Sequence, residues 1–342
     1  MVQGHMPIPL LLDMDNACGI PAADVDDALA LGLALASPEL ELVACTACAG
    51  NCRAAESYAA TRYMLHLARR EAVPQGLGTD APLRRDRTRH FQYLDSKRDA
   101  AASLLWENVP PIPAPPVVPA EDSATACIIE AARRHPGTLV IVATGSLTNL
   151  ALAIEQEPEL VSQVAGVVHM GGAWPSPEGE AGWEDSTPDI PAEVWRDVLR
   201  FNPLYDPEAS QLVFASGIPV TIVPANVTMQ CVMPPSALES WRDGVDPLVR
   251  FLRRAAQPWM RWSHDVRGLS GMHMHDPLAL AVVLWPDLFT TRAMHIDEAR
   301  LLRPDATFLT DSGNGPAVHV VTSADHEAFL GRFVDRVRSF EP

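Results

Sequence analysis

The chain has 342 residues, 47% hydrophobic and 20% charged, the composition of an ordinary soluble protein. Its net charge of −17 speaks against nucleic acid or an anionic membrane as partner, because phosphate surfaces need a basic face, and no apolar run is long enough to span a bilayer. The first residues, Met1 to Met6, lack the charged and apolar regions of a signal peptide, and six cysteines in so long a chain make no disulfide framework, so a cytoplasmic protein is expected.

Pro9 to Leu12 reads as a buried strand that runs into Asp13 and Asp15. A helix is expected over 23–36, stopped by Ser37-Pro38. A second strand over 40–46 leads to Gly50-Asn51, and an alanine-rich helix follows over 53–69. Cys45, Cys48 and Cys52 fall on this strand and its exit, where small buried thiols are a better reading than zinc ligands. A short strand over 73–78 precedes a polar, then proline-rich surface excursion over 79–117, with one helix near 97–107. Beyond it come a helix from Ser123 to His135, a strand over 139–143, a helix over 149–156 capped by Thr148 or Asn149, and a strand over 164–170. Residues 175–200 form an acidic, proline-containing insertion. A helix over 207–216, a strand over 219–223 ending at Asn226, a helix over 236–256 and a loop over 257–274 follow. A helix over 277–284, a strand over 318–321 and a last helix over 325–338 complete the chain. Strands and helices alternate throughout, so the expected architecture is α/β, one domain over 7–342 with an open, doubly wound, mostly parallel sheet. The glycine fingerprint of dinucleotide binders is absent after the first strand.

The chemistry concentrates at one strand–loop–helix junction. Asp13, Asp15, Asp24, Asp26 and Asp27 would repel one another unless something positive sits among them. A helix N-terminus relieves only about 0.3–1 kcal/mol per acid, so a hard divalent cation with oxygen ligands is the better explanation. Polar residues recur at other strand ends: Asn51, Thr144, Met170-Gly171-Gly172 and Asn226. In a parallel sheet such ends share one edge and converge on one crevice, to which His275-Asp276 at a helix start adds an imidazole and a carboxylate.

These residues resemble the inosine–uridine nucleoside hydrolases. The matching segments, in the family's order, are Asp-x-Asp followed by Asp26-Asp27, Ala49-Gly50-Asn51, Ala143 to Asn149, Met170-Gly171-Gly172-Ala173, Phe201-Asn202 with Asp206 to Ala209, and His275 to Ala279. The resemblance implies a Ca²⁺ ion held by Asp15, Asp27, the Thr144 carbonyl and Asp276. It implies hydrolysis of an N-glycosidic bond through an oxocarbenium-like state, with Asp15 taking the proton of the attacking water and His275 serving the leaving base. Asp26, Asn51 and Asn202 would hold the ribose hydroxyls, with Met170 also at the substrate. Trp259 and Trp262, in the loop before His275, read either as core packing or as a mobile lid whose indole stacks on the base. A homodimer or homotetramer follows by analogy alone.

Two departures stand out. Ten residues, Asn16 to Val25, separate Asp15 from Asp26, a longer loop than usual that is expected to reach over the sugar. Arg200 stands where relatives carry a Glu for the ribose 5′-hydroxyl, and a guanidinium cannot accept a hydrogen bond from a hydroxyl, so an anionic or altered C5′ group is expected, unless Arg200 pairs with Glu193 or Asp197. The alternatives are a Ca²⁺-dependent nucleoside- or sugar-binding protein with catalysis lost and a haloacid-dehalogenase-like phosphatase. The latter needs a lysine at a late strand end, whereas the one lysine, Lys97, falls in the surface excursion.

Overall fold

The computed structural model describes residues 6–114, 122–174, 201–241, 246–303, 307–311 and 313–342. Its first strand, β1 (Ile8–Met14), shows how the fold is set. Leu10 and Leu12 enter the core on one face of the sheet and Leu11 the core on the other. Burying each is worth roughly 1.5–3 kcal/mol, so a one-residue slip, which would invert every side chain, is strongly disfavoured. The same alternation puts Asp13 on the Leu11 face and delivers Asp15 just past the strand end.

Around β1 lie β2 (Leu40–Ala47), β3 (Gln75–Leu77), β4 (Leu139–Ala143), β5 (Val164–Met170), β6 (Val220–Val223), β9 (Phe289–Ile296), β10 (Leu309–Thr310) and β11 (Ala317–Ala324). The sheet has nine strands in the order β10-β9-β11-β6-β5-β4-β1-β2-β3. From β11 to β3 all pairings are parallel, and β9 is antiparallel to both of its neighbours. Helices Asp26–Leu35, Pro247–Asp265, His275–Leu284 and His326–Arg338 bury their apolar faces in one core. Helices Ala124–Arg134, Thr148–Gln156 and Pro207–Ala215 cover the other face. The doubly wound, mostly parallel α/β sheet is as expected. β7 (Val232–Met233) and β8 (Met272–His273) form a small separate ladder.

Three local expectations are corrected. The helix expected to end at 256 runs from Pro247 to Asp265, through Pro258. An interior proline costs about 3 kcal/mol, but the buried face continues past it through Trp259, Met260 and Ser263, and that packing outweighs the loss. The excursion carries two helices, Thr88–Lys97 and Ala100–Leu105, in place of one. β9 and β10 add to the expected strands: of the eight β9 residues only Met294 and Ile296 are buried, which leaves no apolar run to detect, and β10 has two residues.

Asp206 shows how distant segments are pinned. It is fully buried; its Oδ2 accepts from the Leu83 N–H and the Thr148 hydroxyl, each at 2.8 Å, and its Oδ1 caps the Pro207–Ala215 helix through the Ala209 N–H at 3.1 Å. Asp206→Ala strands two donors and removes a cap, so equilibrium denaturation is expected to show a loss of about 2–4 kcal/mol.

Candidate active site

The strand ends converge as the topology requires. Asp15, Asp26, Asp27 and Asp276 are all buried. Carboxylate oxygens of Asp26, Asp27 and Asp276 lie within 4.8 Å of one another. Asp15 stands beside Asp27, and each alters the other's titration. Burial first, then the neighbouring carboxylates, pushes Asp15, Asp26 and Asp276 far above the usual carboxylate range. Burial brings Asp27 to about 6, with the Thr144 hydroxyl, donating to its Oδ1 at 2.7 Å, holding it down.

Asp15 is held by what surrounds it. Its Oδ2 accepts the Asn51 N–H, and its Oδ1 is buried with no partner. A Cβ on Gly50 would stand 2.1 Å from Oδ2, and one on Gly145 would stand 2.9 Å from Oδ1. Both glycines are therefore required by space. Gly50→Ala must displace the carboxylate; displacements near 1 Å cost about 100-fold in rate, and kcat measured alongside an unchanged melting temperature checks this.

Asp13 lies behind the cluster. Its Oδ1 accepts from the Thr46 hydroxyl at 2.7 Å and the Asn149 amide at 2.9 Å, and burial brings its carboxyl to about 7. Its carbonyl takes the Thr144 N–H at 2.9 Å, which fixes the Thr144 backbone beside the acids. Thr148 and Asn149, expected as helix caps, instead tie their helix to Asp206 and Asp13. The six cysteines are free thiols; burial drives those of Cys45, Cys48 and Cys52 upward, as small apolar packing groups.

Over the acids opens a pocket of about 710 Å³, its mouth included. Asp26, Asn51, Met170, Asn202, His275 and Asp276 all line it. Asn202 adopts φ +56° and donates to the Met170 carbonyl at 3.0 Å, leaving its own Oδ1 buried without a partner. His275 has Nδ1 2.7 Å from the Thr228 hydroxyl. Burial, then His273 and Arg267, pushes its imidazole well below the usual histidine range.

The two tryptophans part company. Trp259 lines the pocket, with the Arg267 guanidinium 5.4 Å from its ring centroid. Trp262, three positions further along the same helix, packs against Trp106 with ring centroids 6.3 Å apart. Asn226 also turns away, exchanging hydrogen bonds with the Trp174 backbone. Arg200, Glu193 and Asp197 lie outside the described residues.

The pocket also contains residues not assigned from sequence: Lys97, Leu94, Phe201, Arg267 and, from the long loop after Asp15, Ala22 to Asp24. That loop does line the pocket, and its Gly19 rests against Val109 and Ile112 of the excursion. Lys97, placed on the surface by its polar neighbours, arrives because the Thr88–Lys97 helix docks on the site: His90 Nε2 lies 2.8 Å from the Gly50 carbonyl, and Arg53 grips Asp95 at 3.0 Å. No local pattern announces such docking.

A pocket over buried carboxylates at the carboxyl edge of a parallel sheet is where an α/β enzyme holds a small-molecule ligand. Residues 10–331 match the family model described as inosine-uridine preferring nucleoside hydrolase. The pyrimidine-specific ribonucleoside hydrolase RihA of Klebsiella pneumoniae subsp. pneumoniae is 30% identical over 97% of this chain and 99% of its own. A purine-preferring ribonucleoside hydrolase from Gardnerella vaginalis superposes with a TM-score of 0.71 at 25% identity, covering 96% of this chain and 98% of that one. A plant nucleoside hydrolase, at 22% identity, shares the fold with a TM-score of 0.74 over 98% of this chain and all of its own. The chain belongs to the inosine–uridine preferring nucleoside hydrolase family. It is a nucleoside N-ribohydrolase, an enzyme of a metal-dependent family, and it carries the acidic cluster that such a metal needs. Among the described residues no helix is long and apolar enough to cross a membrane.

Proposed function

We propose that the protein hydrolyses ribonucleosides with a Ca²⁺ ion held by Asp15, Asp27, the Thr144 carbonyl and Asp276. The observation that carries this is the orphaned Asp15 Oδ1 beside buried carboxylates that disfavour one another's charge. The donor set is all oxygen, some of it backbone, as calcium prefers. Asp26 shares the same oxygen cluster and stands ready to bridge to the sugar diol. Bound there, the cation supplies positive charge that orients the diol and acidifies a neighbouring water.

The chain's own groups do the rest. Asp15 accepts the proton of the attacking water through its free oxygen. Asn51, Asp26 and the unpartnered Oδ1 of Asn202 hold ribose hydroxyls, fixing the anomeric carbon against the water. His275 faces the leaving base. With the Thr228 hydroxyl donating to Nδ1, the proton sits on Nε2, so a neutral imidazole serves the base as hydrogen-bond donor. His275→Ala is then expected to lower kcat on ordinary nucleosides about 100-fold. It should spare p-nitrophenyl riboside, whose leaving group needs no proton; equal losses on both would contradict the role.

We read 7–342 as one catalytic unit with insertions at 79–117 and 175–200, acting in the cytoplasm as a homodimer or homotetramer. Arg200 would favour an anionic C5′ substituent: Arg200→Glu should shift preference from inosine monophosphate to inosine, and an unchanged preference for inosine in both forms ends that idea. A reducing-sugar assay over a nucleoside panel, with and without chelator, tests the whole proposal. Calcium-restored ribose release is expected; release indifferent to chelation would overturn it.

A further inference from the structure

The acids fix where the sugar goes, so the remaining pocket wall faces the base. Besides Lys97, two groups of opposite charge line the pocket away from the metal-site acids, Asp24 and Arg267. We propose that Asp24 and Arg267 form a fixed acceptor–donor pair that reads the far edge of a pyrimidine and selects uracil over cytosine.

Asp24 comes from the long loop after Asp15. Its Oδ1 accepts the N–H groups of Val25 at 2.7 Å and Asp26 at 3.3 Å, so the carboxylate is tied to the residue that borders the sugar. Arg267 follows the end of the Pro247–Asp265 helix, where its guanidinium rests over the Trp259 ring. That contact orients a group with five donors and no acceptor. Among the described residues its guanidinium makes no hydrogen bond or ion pair.

The order of the pair sets the preference. In a pyrimidine riboside the ring nitrogen at position 3 lies nearer the sugar than the exocyclic group at position 4. In the proposed pose Asp24, tied to Asp26, takes the nearer position and Arg267 the farther. Uracil offers an N–H to the first and a carbonyl to the second. Cytosine offers a bare ring nitrogen to a carboxylate and an amine to a guanidinium, leaving both protein groups opposed. Sites built around such hydrogen bonds reject mismatched ligands strongly.

This inference rests on the hydrolase reading, and the test separates the two. The ratio of kcat/KM for uridine to that for cytidine is measured in the wild type, Asp24→Asn, Arg267→Gln and Arg267→Lys. The expected wild-type ratio is at least about tenfold, falling toward one in all three variants, because lysine keeps the charge but loses the fork. A merely structural role would lower both substrates together and leave the ratio unmoved. An unmoved ratio, or a wild type that prefers cytidine, overturns the pairing while ribose release still upholds the hydrolase. Ribose release from no nucleoside at all would overturn both.

Discussion

Asp15→Ala is expected to abolish turnover, with kcat falling by at least about 1,000-fold, within the range that a positioned general base contributes. Its Oδ1 is a buried oxygen without a partner, and its Oδ2 is held by the Asn51 N–H, which aims the carboxylate. Asp15→Asn should be nearly as damaging, since an amide takes no proton and would turn a donor toward the Asn51 N–H or the cation. Ligand binding should survive in the asparagine variant, because the ribose contacts of Asn51, Asp26 and Asn202 remain. Ribose release and calorimetric titration with a nucleoside analogue check both statements. Turnover within tenfold of wild type in Asp15→Asn would remove Asp15 from the chemistry.

Chelation is expected to have the second large effect, on stability as well as rate. Buried acids whose carboxyls are raised in the fold contribute stability in acid and lose it as pH climbs through the folded values. Asp27 at about 6 and Asp13 at about 7 set that window between weakly acidic and neutral pH, and Asp15, Asp26 and Asp276 shift in the same direction. The metal-free protein therefore carries an electrostatic penalty near neutrality that a bound cation offsets. Calcium at about 100 times its dissociation constant stabilises by about 2.7 kcal/mol, a rise in melting temperature on the order of 5 °C. The rise should be larger near about pH 7.5 than near about pH 5.5. Burial lowers His169 and His273 to about 4 and about 3, below the range compared, so both stay neutral in the fold at either pH. Differential scanning fluorimetry at both pH values, with calcium and with chelator, measures it. A calcium-induced shift that is absent, or larger in acid, would contradict the site.

Much of this was legible in the residues because sheet physics is local. A four-residue apolar run followed by Asp13 and Asp15 announces a buried strand and its functional edge, and β4 and β5 read as continuous apolar runs with the bounds observed. Asp26, Asp27, Asn51, Met170, Asn202, His275 and Asp276 meet because parallel strands share one edge. What the residues concealed came from long-range docking. Lys97 and Leu94 reach the pocket through bonds from their helix to Gly50 and Arg53, some forty residues earlier, which no periodicity records. The Pro247–Asp265 helix hid behind Pro258, a breaker by local rules whose cost is covered by an apolar face visible only against its partners. Trp262 was grouped with Trp259 by proximity in sequence, yet three positions along a helix sent one ring to the pocket and the other to Trp106.

A crystal grown in calcium, with its anomalous difference map, tests the account at its root. A single peak touching Asp15, Asp27 and Asp276 is predicted, with the Thr144 carbonyl turned toward it. Carboxyl groups hydrogen-bonded to one another around an empty centre, with calcium present and the enzyme active, would contradict it.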